Sequence, residues 1–236
     1  MPTTQISLIR RHTEIIKPPR ALWVSFELGR PLGMPNAPAF QKRVLLAALK
    51  LLEAPSGPLL EDFPDDAPAS TDEITMLACP VNFVQDGADF TKTEQLCAAF
   101  KREMVSMRPW YDIAVGKHER TTVGASRIGL DAIDDFICSF LKGVEPKNPR
   151  DDISLAYTLK FAVDDLKAYY FEGITAQPNQ ESTSSQILLD WFWEETVAGK
   201  VLLAIREAYK KSEDSEMRIV GGRLIVPSKV ARSKTK

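Results

Sequence analysis

The sequence predicts an α/β fold in which a small N-terminal sheet with a covering helix precedes a mostly α-helical C-terminal region that ends in a β-hairpin. The first sign is a pair of strand-like segments near the N-terminus, followed by a loop rich in glycine and proline. The second is the spacing of apolar residues, which takes the period of an α-helix from about residue 130 onward. The third is a glycine pair between two short apolar segments near the C-terminus, which is typical of a tight hairpin.

The two N-terminal strands are predicted from different patterns. Residues 3–9 alternate polar and β-favouring side chains, whereas residues 21–26 form the continuous apolar run of a strand that is buried on both faces. Residues 10–17 predict two helical turns, which end before Pro18 and Pro19 because a residue that precedes proline is disfavoured in the helical region. The predicted order is strand, short helix, strand.

A shaped loop and a longer helix follow the second strand. Residues 29–38 are dense in glycine and proline, which permit some unusual backbone angles and fix others. The helix predicted over residues 38–53 has Asn36 as its N-cap and Pro38 in its first turn. Its apolar residues share one face, so we expect this helix to cover the sheet.

Composition divides the chain into three parts. Residues 1–53 form the α/β unit, residues 54–73 are an acidic, proline-rich linker or surface loop, and residues 74–236 form the mostly helical region. Residues 74–81 return to an apolar run, which predicts either a third strand or a loop against the core. Residues 93–107 predict the next helix.

Amphipathic helices are expected to form a small bundle in the C-terminal region. One begins at Leu130, and two more cover residues 153–171 and 185–210. The hairpin covers residues 217–226, and residues 229–236 form a basic tail that is expected to fray.

Charge and composition exclude several classes of partner. The chain has 30 Lys and Arg residues against 32 Asp and Glu residues, and this net charge of -2 argues against a dedicated nucleic-acid-binding protein. Its apolar runs stop far short of the roughly 20 residues that span a bilayer, so no membrane partner is expected. The residues after Met1 lack the pattern of a secretory signal, and three cysteines cannot all pair, so the reducing cytoplasm is the expected location.

Cysteine and histidine supply the candidate reactive groups. Cys79 ends an apolar run just before Pro80, where strand ends often present functional groups, so it is the candidate nucleophile. Cys97 and Cys138 lie inside predicted helices and are expected to act as small apolar residues. The cysteine spacing matches no zinc or redox pair, so a metal site is not expected. No cofactor is expected either. His12 stands in a polar segment typical of a surface and is the candidate proton donor.

The glycine- and proline-rich loop is the candidate substrate-binding site. Its backbone amides and the start of the following helix could hold an anionic group, with Arg30 adding a positive charge and Gly29, Gly33 and Asn36 shaping the loop. The glycine spacing matches neither a P-loop nor a dinucleotide fingerprint. A purely structural turn is the alternative.

The helices predicted over residues 153–171 and 185–210 are rich in aromatic and acidic side chains. A di-iron bundle would use such acids, but it also needs Glu-x-x-His pairs, and the sequence contains none. The aromatic residues are therefore expected to form core and the acidic residues a solvated face.

The N-terminal segment carries a recognisable pattern, made up of Ile6-Ser7-Leu8-Ile9, Lys17-Pro18-Pro19-Arg20-Ala21-Leu22-Trp23-Val24, Phe26-Glu27-Leu28-Gly29-Arg30-Pro31-Leu32-Gly33 and residues 36–49. With this pattern, residues 2–52 resemble the last part of the selenoprotein B family of glycine, sarcosine, betaine and D-proline reductases. The remaining residues look like an extension to which the family role does not carry over.

The resemblance implies thiol-dependent reductive cleavage of a carbon–nitrogen bond in a small amine or amino-acid-like substrate. In the family, the redox motif lies upstream of the strand that corresponds to residues 4–9, and none of the three cysteines matches its position. Three expectations remain open: a non-catalytic relative, a chain that pairs with a separate redox subunit or thiol donor protein, and a reading frame interrupted at a selenocysteine codon. If this chain carries chemistry itself, Cys79 is the nucleophile, Arg30 the anion holder and His12 the proton donor.

The alternative function is a non-enzymatic interaction or scaffolding protein. In this hypothesis the aromatic-rich helices form the surface of a homodimer or of a complex with another protein. The fold alone does not choose between the two functions, because one fold supports many activities.

Overall fold

The computed structural model describes residues 2–67, 92–177 and 185–233. The chain divides into two compact units, Met1–Glu73 and Ile74–Lys236. The N-terminal unit holds a small parallel sheet and the C-terminal unit holds most of the helices, which confirms the predicted α/β class with a helical C-terminal region.

Three short parallel strands form the sheet of the N-terminal unit. They are β1 (Gln5–Ser7), β2 (Arg20–Trp23) and β3 (Leu59–Asp62), paired in the order β1-β2-β3. The predicted strands at residues 3–9 and 21–26 correspond to β1 and β2.

The third strand lies inside the segment that the sequence assigns to a linker. That assignment is wrong for β3, because its two leucines are half-buried while Glu61 and Asp62 are exposed. A four-residue edge strand with only two apolar residues has no sustained alternation, so its acidic, proline-rich surroundings dominate the pattern. The alternative third strand, at residues 74–81, lies outside the described residues.

Two helices and one 3-10 turn complete the described part of the N-terminal unit. The predicted short helix is α1 (Arg10–Ile16), and the covering helix is α2 (Pro38–Lys50), followed by the turn Leu51–Glu53. Asn36 is not the N-cap of α2: Ala37 takes that position, and Asn36 adopts a left-handed backbone with φ 59°. Pro38 does lie in the first turn, as predicted.

An aromatic cluster lies at the centre of the core of the N-terminal unit. The rings of Phe26, Phe40 and Phe63 have centroids 5.5 to 6.0 Å apart. Leu22 and Val24 of the second strand region pack in the same cluster as the inner face of α2. The covering helix therefore buries one face of the sheet, as the apolar stripe predicts.

The C-terminal unit is helical throughout its described elements. Its α-helices are α3 (Thr93–His118), α4 (Leu130–Leu141), α5 (Leu155–Thr175), α6 (Ser185–Glu194), α7 (Val197–Tyr209), α8 (Ser215–Ile219) and α9 (Ser228–Ser233). The expected frayed tail is thus helical as far as Ser233.

Two of the predicted helices differ from the structure. The prediction over residues 93–107 stops short, because α3 continues through Pro109 to His118. The single helix predicted over residues 185–210 is two helices, because Thr196 caps α7: its hydroxyl accepts a hydrogen bond from Gly199 N at 3.0 Å.

The predicted C-terminal hairpin is wrong. Residues 217–226 form the end of α8 and a π-helical turn, Val220–Leu224. The glycine pair serves close packing, since a Cβ on Gly222 would lie 2.8 Å from Lys210 Cα and one on Gly221 would lie 3.0 Å from Tyr209 Cβ. A Gly-Gly pair signals a turn only when no neighbouring helix requires the space.

The core of the C-terminal unit contains most of its aromatic residues. Tyr169, Tyr170, Trp191, Phe192 and Trp193 are all buried there, as expected of core residues. They pack with ring centroids 5.0 to 6.2 Å apart. The side chains that would supply an aromatic partner surface are therefore part of this core.

Cys97 and Cys138 do not act as separate apolar residues. Both are buried, but they form a disulfide that joins α3 to α4, with Cα atoms 5.9 Å apart. The pairing was missed because two cysteines 41 residues apart meet only through the packing of two helices. Since two of the three cysteines are paired, the cysteine count no longer argues for a reducing compartment.

Among the described residues, none of the helices combines the length and the apolar character needed to cross a membrane.

Candidate functional site

The loop between β2 and α2 contains most of the sequence-predicted binding residues. We call residues 24–37 the Arg30 loop. It follows the carboxyl end of β2, the edge at which open parallel sheets bind ligands. Two backbone hydrogen bonds shape its tip: Arg30 N donates to Glu27 O at 3.0 Å, and Gly33 N donates to Arg30 O at 2.9 Å.

Left-handed backbone angles explain the residue types of the loop. Gly29 and Gly33 have φ of 89° and 83°, and Asn36 has φ 59°. Glycine adopts these angles without a steric penalty, and asparagine tolerates them better than most residues. These three predicted binding residues thus set the backbone path of the Arg30 loop.

The Arg30 loop is fixed to α2 at two points. A Cβ on Gly33 would lie 2.7 Å from the ring of Phe40, so the loop backbone rests directly on that side chain. Gln41 donates from Nε2 to the carbonyl of Met34 at 2.7 Å. The loop is therefore held in a defined shape by the helix that covers the sheet.

Arg30 lies at the tip of this loop. Its side chain is 52% exposed, and its Nη1 lies 3.5 Å from Oε2 of Glu27, whose side chain is also about half exposed. An ion pair this exposed contributes at most about 1 kcal/mol, so a carboxylate ligand can compete for the guanidinium. The tip can hold an anion without breaking any buried contact.

Polar side chains also line the carboxyl edge of the three strands. Ser7, Trp23 and Asp62 occupy one row across the sheet. Arg10 donates from Nε to both carboxylate oxygens of Asp62 at 3.1 and 3.3 Å, and the hydroxyls of Ser7 and Thr13 are in contact. This end of the sheet is charged and hydrogen-bonded, which suits a polar ligand.

Two acidic residues just after β3 contact the covering helix and the Arg30 loop. Asp65 forms an ion pair with Arg43 of α2, and Ser25 donates to Asp66. The sequence assigns both residues to a linker and gives no signal for them, because the strand that they follow, β3, is itself not predicted. Their position directly after a strand, where parallel sheets collect functional side chains, is visible only in the structure.

The other predicted site residues lie elsewhere. His12 is exposed on α1, the helix that also carries Arg10. Cys79 and Pro80 lie outside the described residues. The structure therefore groups Gly29, Arg30, Gly33 and Asn36 in one loop and leaves the candidate nucleophile undescribed.

The C-terminal unit contains two buried carboxylates that position helices and loops. Glu103 of α3 accepts hydrogen bonds from the backbone N–H groups of Val197 and Ala198 at 2.7 and 2.9 Å, and from the Tyr170 hydroxyl at 2.7 Å. It thus satisfies the first amides of α7. Burial raises the pKa of Glu103, although these hydrogen bonds and Lys200 act in the opposite direction.

Asp165 of α5 is the second of these carboxylates. It accepts from the backbone N–H groups of Gly124, Ala125 and Ser126, each at 2.9 Å, and from the Ser126 hydroxyl at 2.6 Å. Such a concave set of amides binds anions. Here a side chain of the same chain occupies it, so Asp165 fixes the loop before α4.

Lys167 of α5 is a largely buried cation of the same unit, and its burial lowers its pKa. It donates to the Ile225 carbonyl at 2.8 Å, and its Nζ lies 5.4 Å from the centre of the Trp193 ring. Burial lowers its pKa to about 8. The two contacts tie α5 to the segment after the π-helical turn and to α6.

The sequence pattern predicts that the acids of α5 are solvated, and it does not single out Glu103. A signal was present: both Glu103 and Asp165 lie three residues after a buried apolar residue and four before another, so they share the buried stripe. Within the described ranges, no group of three or more His, Cys, Asp or Glu side chains is arranged to hold a metal ion.

Comparisons with protein-family models, with curated proteins and with solved structures find no match to this chain.

Proposed function

We propose that this chain is a selenoprotein B-like reductase component whose Arg30 loop holds a small amine or amino-acid-like substrate by its carboxylate. The observation that carries the proposal is the position of Arg30: an exposed guanidinium on a fixed loop at the carboxyl edge of a parallel sheet. The resemblance of residues 2–52 to that family supplies the substrate class.

The four substrates of the resembled family share the group that Arg30 would bind. Glycine, sarcosine, betaine and D-proline each carry a carboxylate beside a nitrogen. A guanidinium binds a carboxylate through two parallel N–H bonds, which fixes the orientation of the substrate as well as its position. The nitrogen end is then directed away from Arg30, where the carbon–nitrogen bond can be reached.

The chemistry needs a redox sulfur or selenium atom, which Cys79 or a companion protein supplies. Reductive cleavage takes two electrons and two protons from a thiol pair, which becomes a disulfide. The carbon–nitrogen bond breaks, and the carbon and the freed amine nitrogen each take one proton. His12 is the proposed proton donor. If Cys79 is the nucleophile, its thiolate must be accessible and activated.

Calorimetric titration of the full chain with each of the four substrates tests the binding step. We expect at least one to bind, and we expect Arg30→Gln to weaken that binding about tenfold because a charge-assisted bidentate contact is lost. Lys50→Gln is the matched control, since it removes a cation from the opposite end of α2 and should leave binding unchanged. Equal effects of the two substitutions would count against the site.

Iodoacetamide labelling without reductant tests Cys79. Because Cys97 and Cys138 are paired, Cys79 is the one thiol available in the native chain. We expect one adduct per chain, formed quickly, and we expect Cys79→Ser to abolish any turnover without altering the helical circular dichroism signal. Slow labelling of Cys79 would shift the redox role to a companion protein.

The interaction function is the second candidate, and the surface that favours it is not that of the aromatic-rich helices. The outer face of α2 exposes Leu45, Leu46 and Leu49, each about half exposed. Light scattering on the purified chain distinguishes the two functions when it is combined with the titration. A dimer that binds none of the four substrates would favour the interaction function.

A further inference from the structure

The segment that follows β3 lies against the Arg30 loop at two points. At the start of the loop, Ser25 donates from its hydroxyl to Asp66 Oδ1. Further along, a Cβ on Gly33 would lie 3.5 Å from the Cβ of Ala67. Gly33 also donates from its backbone N–H to the carbonyl of Arg30 at 2.9 Å. Asp66 and Arg30 therefore lie on neighbouring segments of the carboxyl edge of the sheet.

Asp66 differs from the other acids of this edge in its partners. Each of the others pairs with an arginine: Asp62 with Arg10, Asp65 with Arg43 and Glu27 with Arg30. Within the described ranges, Asp66 forms no ion pair, and its one hydrogen-bond partner is the neutral hydroxyl of Ser25, which contacts Oδ1. The side chain of Asp66 is exposed, so its charge and its second oxygen, Oδ2, are open to a ligand.

The carboxyl edge thus offers two opposite charges to solvent. The guanidinium of Arg30 is half exposed, and its ion pair with Glu27 is weak enough for a ligand carboxylate to displace it. The carboxylate of Asp66 offers an acceptor to a cationic group. A small amino acid carries a carboxylate and a cationic nitrogen on one carbon atom, so it requires opposite charges on neighbouring segments of a protein.

We propose that the Arg30 loop selects a small zwitterion whose cationic nitrogen carries at least one N–H, and that Asp66 is the residue that determines this specificity. Arg30 binds the carboxylate of the ligand, and Asp66 Oδ2 accepts a hydrogen bond from its nitrogen. Ser25 is a positioning residue, because its hydroxyl holds the other oxygen of Asp66. This inference rests on the proposed function, since Arg30 must hold the carboxylate.

The requirement for an N–H follows from the chemistry of a carboxylate. A charge-assisted hydrogen bond from an ammonium group to a carboxylate is roughly twice as strong as a neutral one. A fully methylated nitrogen keeps its positive charge but has no hydrogen to donate. Glycine should therefore bind more tightly than betaine, and betaine more tightly than acetate, which has no nitrogen.

Nuclear magnetic resonance titrations of the full chain with glycine, betaine and acetate test this order. We expect glycine to bind about fivefold more tightly than acetate, as one exposed charge contact allows. Asp66→Asn should weaken glycine binding about fivefold and change acetate binding by less than about twofold, so that the preference for glycine is lost. Because Asp66 is exposed, this variant should keep the circular dichroism signal of the native chain.

Glu61→Gln is the matched control, because it removes an exposed acidic charge from β3 itself. It should leave the affinities of all three probes within about twofold of their original values. Ser25→Ala should lower the preference for glycine over acetate while acetate binding stays unchanged. An unchanged preference in that variant would overturn the positioning role of Ser25.

The Arg30→Gln variant separates failure of this inference from failure of the proposed function. If Arg30→Gln weakens the binding of all three probes but Asp66→Asn does not lower the preference for glycine, the role of Asp66 is overturned and the proposed function stands. Betaine binding as tight as glycine binding would likewise overturn the requirement for an N–H. If no probe binds, or if Arg30→Gln changes nothing, the proposed function fails and this inference fails with it.

Discussion

At the scale of single residues, the acids of the C-terminal unit divide by the face of the helix that they occupy. Asp164 and Asp165 are neighbours on α5, yet Asp164 is 40% exposed and pairs with Lys160, whereas Asp165 is buried beneath the loop before α4. This pair offers a direct comparison of a solvated carboxylate with a structural one.

Asp165→Asn should lower the free energy of unfolding by about 2–3 kcal/mol at neutral pH. The reason is that an amide NH₂ group replaces a carboxylate oxygen that accepts hydrogen bonds from buried backbone N–H groups. Asp164→Asn should change it by no more than about 1 kcal/mol, since it removes only a partly exposed ion pair with Lys160. Urea unfolding followed by the helical circular dichroism signal measures both. Similar losses for the two variants would contradict the assigned role of Asp165.

Glu103 predicts a pH dependence of stability with a definite sign. Burial raises the pKa of Glu103 above its ordinary value of 4.5, so folding favours the protonated carboxyl. Its contribution to stability is complete below pH 4.5 and is lost as the pH rises through the raised pKa. A glutamine side chain cannot titrate, so the destabilisation caused by Glu103→Gln should be larger at pH 4.5 than at neutral pH.

Urea unfolding at a series of pH values measures this difference. Glu94→Gln, an exposed substitution on the same helix, is the control and should show a small effect at every pH. A destabilisation by Glu103→Gln that grows as the pH rises would contradict a raised pKa for Glu103.

The sequence carried part of this residue-scale information. An acid at a position of the apolar stripe, such as Glu103 or Asp165, indicates a buried carboxylate from the periodicity alone. The hydrogen-bond partners of such a carboxylate could not be predicted. The backbone amides that donate to Glu103 are 94 and 95 residues away in the sequence, and those that donate to Asp165 are 39 to 41 residues away. Only the folded chain brings them together.

At the scale of the elements, glycine has two opposite roles in the C-terminal unit. A Cβ on Gly222 would lie 2.8 Å from Lys210 Cα, whereas one on Gly116 in α3 would meet nothing within 4 Å. The first glycine permits the π-helical turn to pack against the end of α7. The second only weakens the helix that contains it.

Gly222→Ala should therefore destabilise the chain by about 1–3 kcal/mol through overpacking. Gly116→Ala should stabilise it by up to about 1 kcal/mol, because alanine has the higher helix propensity. Thermal unfolding monitored by circular dichroism gives both signs in one experiment. If Gly222→Ala were neutral, the close packing of the glycine pair would not explain why the hairpin prediction is wrong.

Elements with long apolar stripes were predictable from the sequence, and elements defined by tertiary contacts were not. Leu130–Leu141 begins where its stripe begins, and α5 covers the predicted residues with small shifts at its ends. By contrast, β3 depends on pairing with β2, and the break between α6 and α7 depends on the cap at Thr196. Local patterns do not record which distant segment a short strand pairs with.

At the scale of the whole molecule, the two units differ in the exposure of their charged and sulfur-containing groups. The N-terminal unit presents a fixed loop with an exposed cation, and the C-terminal unit contains a buried disulfide beside a buried carboxylate. The loop was predictable because glycine, proline and Arg30 lie together in the sequence. The disulfide was not, because its cysteines lie on separate helices.

Substrate binding at the Arg30 loop is tested most directly by nuclear magnetic resonance of the isotope-labelled full chain. Glycine, sarcosine, betaine and D-proline are added in turn, and the backbone amide signals are followed. We expect the largest shifts at Gly29, Arg30 and Gly33, and we expect them to disappear in Arg30→Gln. Shifts confined to the C-terminal unit, or no shifts with any of the four substrates, would contradict the proposed function.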